Sequence, residues 1–356
     1  MFPSLFRSMS GPGDMSRRKL IAVAGAAAAV SAAPFPAAAA SRPANAPGTP
    51  GTAPVPPGAK GPVIPGSGYL LQEIGDRLFC VTDGLYQALF LTTSEGVVVV
   101  DAPPTIGTNM KRAIASVTGA PVTHAVYSHH HADHIGAMSL FPKARRYAQR
   151  EVAELLRQTP DPNRPLPDVS FEKHLTLKAG DDVIQLDYHG PNHAPGNIHI
   201  HLPAQRVLML VDVVFPGWVP FAYLAESQNI AGYLQAPAQA LRYDFETFVG
   251  GHLTRLGSRE DIVLHQQYTT DLMTQAAAAI STFDVNQVYG EVDPTNPWAV
   301  FNAYLSGVAT QTAEAVTPDW VDRLGGADVY TWSNAYAAVE SLRIDHGDLG
   351  PFGIRP

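Results

Sequence analysis

One short stretch of the chain concentrates side chains that can bind a metal ion. The segment HHHADHIG places imidazoles at His129, His131 and His134 and a carboxylate at Asp133. Neutral imidazoles and carboxylates suit Zn²⁺, with iron or manganese as alternatives. His130 is expected to point away from the others. A buried core or a solvated loop does not require so many ligands, so the stretch predicts a metal site rather than a solvent-facing histidine cluster.

The composition limits the kind of protein that carries this site. The chain has 356 residues, of which 46% are hydrophobic and 16% charged, which fits a folded soluble protein rather than a polytopic membrane protein. Its net charge of -8 works against binding to nucleic acid or to an anionic membrane surface. Cys80 is the single cysteine, so a metal site must be built from histidine, aspartate and glutamate.

The elements before the histidine stretch read as strands followed by one helix. Residues 69–101 contain four apolar runs separated by turn residues, which predicts a β meander. Residues 109–118 have helical spacing and end before Gly119, and residues 122–128 read as the next strand. A β-α-β step therefore delivers the chain to His129.

The elements after the histidine stretch repeat this order. Residues 149–158 read as a helix, and short apolar runs between residues 175 and 212 predict a second sheet. Helices are expected at 230–241 and 258–280, the second opening with Ser258 and Asp261 at capping-box spacing. Strands followed by helices, twice in succession, predict an α/β sandwich.

Five segments in order resemble one family. SHHHADHIG resembles the HxHxDH signature of the metallo-β-lactamase-fold hydrolases, and GPNHAPGNIHIHLP, VLMLVDVVF and VGGH match that family's later metal-binding positions at His193, Asp212 and His252. VVVVDAPP matches its early strand, with Asp101 as an aspartate that supports the ligands. The resemblance spans roughly residues 69–283. It implies an αββα sandwich of two mixed β-sheets flanked by helices, here with a mainly helical C-terminal extension.

The resemblance also implies a pair of divalent metal ions, with zinc as the expected metal. The implied ligands are His129, His131 and His193 for one ion and Asp133, His134 and His252 for the other. Asp212 would bridge the two ions. A hydroxide shared by the ions would attack the substrate, with Asp133 and Asp212 as catalytic carboxylates and no serine or cysteine nucleophile.

An apolar stretch after Asp212 is a candidate substrate pocket. FPGWVPFAYLAE contains the four candidate pocket residues Phe215, Trp218, Phe221 and Tyr223. Such residues could cover a neutral acyl chain, or they could simply pack between a sheet and a helix. Tyr223 is also a candidate catalytic donor of a hydrogen bond to the oxyanion.

Within the family, the sequence favours hydrolysis of a small-molecule ester, and a lactone first. β-Lactam hydrolysis is an alternative, although the last lysine is Lys178, so no lysine near Asp212 is available to bind the carboxylate of a β-lactam. A glyoxalase II-like thioesterase is a further alternative, although residues 284–356 supply only Arg323, Arg343 and Arg355 as basic groups. The alternative outside enzymes is a metal-binding interaction module.

The amino terminus predicts export. Residues 1–40 combine Arg17 and Arg18, a short apolar run and the small residues 38–40, as in a twin-arginine signal peptide. The alternative is an amphipathic helix. The protein is therefore expected to be periplasmic or secreted, without stable membrane association once the signal is removed.

Composition also suggests boundaries for the remaining parts. Residues 41–67 are rich in proline and glycine, which predicts an extended, solvated linker. We expect the hydrolase domain at 68–283 and a helical extension at 284–356.

Overall fold

The computed structural model of this protein describes residues 51–352, which form two β-sheets with helices on their outer faces. The predicted export signal, residues 1–40, and the first part of the Pro/Gly-rich segment lie outside the described residues, so export stays a prediction. Within 51–352, no helix combines the length and the apolar character needed to cross a membrane.

The first sheet has seven strands in sequence order. They are β1 (Leu70–Gly75), β2 (Leu78–Thr82), β3 (Gln87–Thr93), β4 (Gly96–Val100), β5 (Val122–Val126), β6 (Arg145–Gln149) and β7 (Val169–Phe171). The pairs from β1 to β4 are antiparallel, as the predicted meander requires, and those from β4 to β7 are parallel. Strands β6 and β7 were not predicted, because β6 begins with two arginines and β7 has only three residues.

The second sheet has five strands in the order β12-β11-β10-β9-β8. They are β8 (His174–Ala179), β9 (Asp182–Asp187), β10 (His199–Leu202), β11 (Val207–Met209) and β12 (Thr247–Val249). Only the pairing of β11 with β12 is parallel, so this sheet is also mixed. The three-residue strand β12 was not predicted.

Nine helices of the described range complete the fold. They are α1 (Asn109–Val117), α2 (Ala132–Ile135), α3 (Arg150–Gln158), α4 (Ala222–Glu226), α5 (Ile230–Ala240), α6 (Arg259–Thr282), α7 (Asn286–Tyr289), α8 (Pro297–Trp320) and α9 (Ala327–Ile344). The capping residues predicted for α6 are in place, since the Asp261 carboxylate accepts a hydrogen bond of 2.9 Å from the Ser258 backbone N–H. The C-terminal extension is helical, as predicted.

The buried side chains form three hydrophobic cores. Leu89 and Leu91 of β3 point between the two sheets, whereas Phe90 of the same strand packs against α1 and α3. This two-residue alternation explains why both faces of the strand are apolar, because each face is covered. A third core lies between the second sheet and helices α4, α5, α6, α8 and α9, with Phe248 on the sheet side. The predicted αββα sandwich is confirmed.

The Pro/Gly-rich segment is anchored over its described part. Most of residues 51–67 are exposed, but Ala59 is buried and its carbonyl accepts a hydrogen bond of 2.9 Å from the indole of Trp218. The backbone N–H of Gly51 also donates to the Asp328 carboxylate, at 2.8 Å. The expectation of a solvated linker needs correction here, because proline-rich composition does not reveal such tertiary anchors.

Candidate metal centre

The loops that carry the predicted ligands leave the two sheets at a common edge. His129 and His131 follow β5, and α2 carries Asp133 and His134. Strands β11 and β12 are parallel, so the residues that follow them lie at the same edge of the second sheet. Those residues include Asp212. The loops that carry the remaining ligands, His193 and His252, reach the same point.

Backbone conformation at this edge is locally unusual. Asp212 has a φ of 62°, in the left-handed region that asparagine, aspartate and glycine tolerate best. Gly251, next to His252, has a φ of 91°, and a Cβ there would lie 2.7 Å from Cγ1 of Val211. Glycine is therefore required for the close approach of these two loops.

The structure brings all seven predicted ligands together. Two groups of side chains have ligand atoms within 4.8 Å of one another: His129, His131, His193 and Asp212 in the first, and Asp133, His134 and His252 in the second. Asp212 Oδ2 lies 3.4 Å from Nε2 of His129 and 3.1 Å from Nε2 of His134. Its Oδ1 lies 2.7 Å from Nε2 of His252. Asp212 therefore contacts both groups, as a bridging carboxylate must.

Hydrogen bonds on the outer side orient several of these rings. Nδ1 of His252 donates to the carbonyl of Leu85 at 3.1 Å, so its Nε2 is left to face Asp212. Nδ1 of His129 is 3.0 Å from the hydroxyl of Ser128, whose backbone N–H donates to the Asp101 carboxylate at 2.9 Å. Asp101 is fully buried, as expected for an aspartate that supports the ligands.

Burial keeps most of the imidazoles neutral. Burial lowers the pKa of His193 to about 4 and the pKa of His129 well below its usual value. Burial alone would raise the pKa of Asp212, but His134 holds it well below the usual range. Burial opposes protonation of His134 as well, yet Asp212 raises the pKa of His134 to about 9. His134 and Asp212 therefore stabilise each other's charged forms, and a bound cation would take over that interaction with the carboxylate.

The donor set fits divalent metal ions. Nε2 of His129 is buried without a hydrogen-bond partner, although buried polar atoms are normally paired. This orphaned atom lies 3.4 Å from Oδ2 of the anionic Asp212. Imidazole nitrogens and carboxylate oxygens in this arrangement are the ligands that zinc and related ions take.

A cleft of about 480 Å³ opens above the seven side chains. Its lining includes five of the predicted ligands, namely His131, Asp133, His193, Asp212 and His252. Of the predicted pocket residues, Phe215, Trp218 and Phe221 line this cleft. The predicted metal ligands lie at the floor of the cleft and the aromatic side chains form its walls. Such a site can bind an apolar molecule next to a metal ion.

The placement of Tyr223 corrects one prediction. Tyr223 lies outside the lining of the metal cleft and lines a neighbouring cavity with Ile230 and Ala337. Its ring packs edge to face on Tyr336, with the centroids 6.3 Å apart. The chain from Tyr223 to Glu226 runs through a left-handed turn, which sequence reasoning did not anticipate and which turns this ring away.

Two aromatic residues of the cleft were missed by sequence reasoning. Tyr86 belongs to the turn between β2 and β3, and its ring centroid lies 5.3 Å from that of His134 and 4.7 Å from that of His252. Burial, followed by the Asp133 carboxylate, raises the pKa of Tyr86 to about 12, so the phenol is neutral. Tyr330 comes from α9 of the extension. The position of Tyr86 next to the Asp83-Gly84 turn could have suggested that it lies in the cleft. No local sequence signal suggests the same for Tyr330.

Comparisons with known proteins agree with this architecture. The sequence model of the metallo-beta-lactamase superfamily matches residues 81–252. The chain is 28% identical over 195 residues, 53% of its length, to 2,4-dinitroanisole O-demethylase subunit alpha from Nocardioides sp. (strain JS1661). It is also 28% identical over 126 residues, 34% of its length, to metallo-beta-lactamase type 2 from Elizabethkingia meningoseptica. The matches span 59% and 49% of these two relatives.

One solved structure can be superposed on part of this chain. The metallo-beta-lactamase from Pontibacter korlensis superposes with a TM-score of 0.49 at 19% identity, covering 56% of this chain and 97% of that one. The matched segment contains strands β3 to β12 in full and all seven predicted ligands. The chain therefore contains, over residues 81–252, a domain of the metallo-beta-lactamase superfamily.

Proposed function

We propose that the protein is a metal-dependent hydrolase of carboxylic esters and that lactones are its principal substrates. The observation that carries the proposal is the position of Asp212, whose two oxygens lie within 3.4 Å of imidazoles from both ligand groups at the floor of an apolar cleft. A site with a complete ligand set below an open cleft favours catalysis over a purely structural metal.

The residues of the site have two proposed roles, metal binding and substrate binding. The seven ligands would hold two divalent ions, for which zinc is the proposed metal. When bound, such ions supply Lewis acidity and an activated water molecule at neutral pH. Tyr86 supplies a neutral hydroxyl at the wall of the cleft, where it can donate a hydrogen bond to the carbonyl oxygen as negative charge develops there. We therefore assign to Tyr86 the role predicted for Tyr223.

The walls of the cleft favour an uncharged acyl group. Phe215 and Trp218 line one part of the cleft, and Leu85 and Leu253 another. Among the described residues, no lysine or arginine lines the cleft. A β-lactam carboxylate would lack a cationic side chain there, so β-lactam hydrolysis and glyoxalase II-like thioester hydrolysis come after ester hydrolysis.

A second candidate is the cleavage of an uncharged aryl ether. One relative is named 2,4-dinitroanisole O-demethylase subunit alpha, and the aromatic walls of this cleft suit an aryl group. The chain matches only part of that relative. Aryl ethers are therefore included in the substrate panel, but they rank after esters.

A substrate panel tests the proposal. Zinc-loaded protein is assayed with an acyl lactone, an aryl ester, a thioester, a carbapenem and a nitroanisole. We expect the lactone and the aryl ester to turn over fastest, to lose turnover on dialysis against a chelator and to regain it with zinc. If the thioester, the carbapenem or the nitroanisole turned over faster than the lactone and the aryl ester, that compound class would become the proposed substrate. If no compound turned over, the metal-binding interaction module would be favoured.

The substitution Tyr86→Phe should slow catalysis without loss of bound metal. The ring would still pack on His134 and His252, but the hydroxyl would be lost. We expect kcat for the preferred ester to fall about 10²-fold, the cost of removing one oxyanion donor, with metal content unchanged. Tyr223→Phe is the matched control and should retain wild-type kcat. If the Tyr86→Phe enzyme had the wild-type kcat, Tyr86 would not be the hydrogen-bond donor to the oxyanion.

A further inference from the structure

The described part of the Pro/Gly-rich segment runs along the loops that form the wall of the metal cleft. Residues 51–64, here called the strap, meet four wall segments in turn: the start of α9, the loop of Trp218, the loop after His252 and the turn before β3. Each of these segments contributes to the cleft lining, with Tyr330, Trp218, Leu253 and Leu85 respectively.

The first half of the strap is held by hydrogen bonds. The backbone N–H groups of Gly51 and Ala53 both donate to the Asp328 carboxylate at the start of α9, at 2.8 and 3.1 Å. The indole N–H of Trp218 donates to the Ala59 carbonyl at 2.9 Å, while the same side chain lines the cleft. Because an indole has a single N–H donor, this bond fixes the orientation of a ring that forms the cleft wall.

The second half of the strap is held by close packing. Gly61 lies against the loop that follows His252, and a Cβ on Gly61 would lie 2.6 Å from the backbone nitrogen of Arg255, which is too close for non-bonded atoms. Ile64 lies beside the turn before β3, since a Cβ on Gly84 would be 3.3 Å from Cγ1 of Ile64. The strap therefore contacts the backbone of two further wall segments.

The wall that the strap contacts consists largely of loops and presents apolar surface. Leu85 is 58% exposed, and Trp218 is only partly buried. Loops are normally the more mobile parts of a fold, so their position depends on contacts such as those of the strap. Ordering side chains and loops on binding costs free energy, so an apolar ligand binds more tightly to a wall that is already in place.

We infer that the strap positions the apolar wall of the metal cleft and thereby sets the affinity of the cleft for the apolar part of a substrate. The segment between the predicted export signal and the hydrolase domain then contributes to substrate binding and is more than a spacer. The inference rests on the proposed function only in taking the cleft as the substrate site. It does not depend on which bond is broken.

Two hydroxamates that share a metal-binding head group test the inference. Acetohydroxamate carries a methyl group, whereas 2-naphthohydroxamate carries a large apolar body that would contact the wall. Both are titrated calorimetrically into zinc-loaded wild type, Gly61→Ala, Asp328→Ala and Gly58→Ala proteins. Gly58→Ala is the matched control within the strap, because a Cβ on Gly58 would have no atom within 4 Å.

We expect the naphthyl compound to bind the wild type at least about tenfold more tightly than the methyl compound, since it buries more apolar surface. In Gly61→Ala the naphthyl compound should bind about fivefold more weakly, the cost of ordering one or two side chains on binding. Acetohydroxamate affinity and zinc content should stay the same. Asp328→Ala, outside the cleft lining, should act in the same direction, and Gly58→Ala should match the wild type.

Unchanged binding of the naphthyl compound to Gly61→Ala would overturn the inference, and Asp328→Ala decides in the same way if Gly61→Ala does not fold. Equal weakening of both hydroxamates would also overturn it, because a merely structural strap would disturb the whole site alike. A wild type that binds both compounds equally would do the same. The hydroxamates are not substrates, so an inactive wild type with the expected binding pattern would reject the proposed function alone.

Discussion

Asp212→Asn is expected to abolish hydrolysis while leaving the fold intact. The asparagine has the same shape and tolerates the left-handed φ of 62° at this position, so the backbone is not strained. It loses the negative charge that faces imidazoles of both ligand groups, with Oδ1 2.7 Å from His252 and Oδ2 3.1 Å from His134. Because metal ions contribute several kcal/mol to catalysis, we expect kcat/KM to fall by about 10³-fold or more.

Two measurements make this prediction specific. Elemental analysis should show that Asp212→Asn retains less metal than the wild type, whereas circular dichroism should show the same secondary structure. Asp181→Asn, in an exposed turn, is the matched control and should keep both metal and activity. If Asp212→Asn hydrolysed every substrate of the panel at the wild-type rate, the hydrolytic proposal would be wrong.

Asn334→Ala is expected to destabilise the protein more than other substitutions of the extension. It would leave the Leu224 N–H and the Pro220 carbonyl without their partners, at 2.7 and 2.8 Å in the native structure. Both residues are buried, and each unsatisfied group costs about 1–3 kcal/mol. Together they predict a loss of about 2–6 kcal/mol in the free energy of unfolding, measured by urea denaturation of the metal-free protein.

Ser333→Ala provides the comparison for Asn334→Ala. The Ser333 hydroxyl accepts a long hydrogen bond of 3.4 Å from the Tyr223 backbone N–H at an exposed position, and it donates one of 3.0 Å to the Tyr330 carbonyl within its own helix. Its removal should change the free energy of unfolding by less than about 0.5 kcal/mol. Equal effects of the two variants would show that Asn334 does not hold the left-handed turn.

The parts of the fold that sequence patterns predicted are those in which local chemistry dominates. The four strands of the meander have apolar runs long enough to cover both faces of a sheet, and turn residues separate them. The histidine stretch also lies within a few residues of chain. The later ligands were identified through resemblance, because spacing alone does not connect His129 with His252.

The parts that escaped prediction depend on contacts between distant residues. The left-handed turn that begins at Tyr223 is held by Asn334, which accepts the N–H of Leu224 from 110 positions away, and no local pattern in FAYLAE indicates that conformation. Tyr330 reaches the cleft for the same reason. Aromatic composition located three of the four proposed pocket residues, but it could not tell which way each ring points.

The position of Tyr330 and Asn334 has a consequence for how this protein could change. All seven predicted ligands lie at or before His252, whereas Tyr330 in the cleft wall and Asn334, which holds the left-handed turn, belong to a helix that begins at Ala327. The predicted metal ligands and this part of the cleft wall are thus encoded in separate stretches of the gene. Exchange or drift of the carboxyl-terminal helices could retune which molecules enter while every metal donor stays untouched.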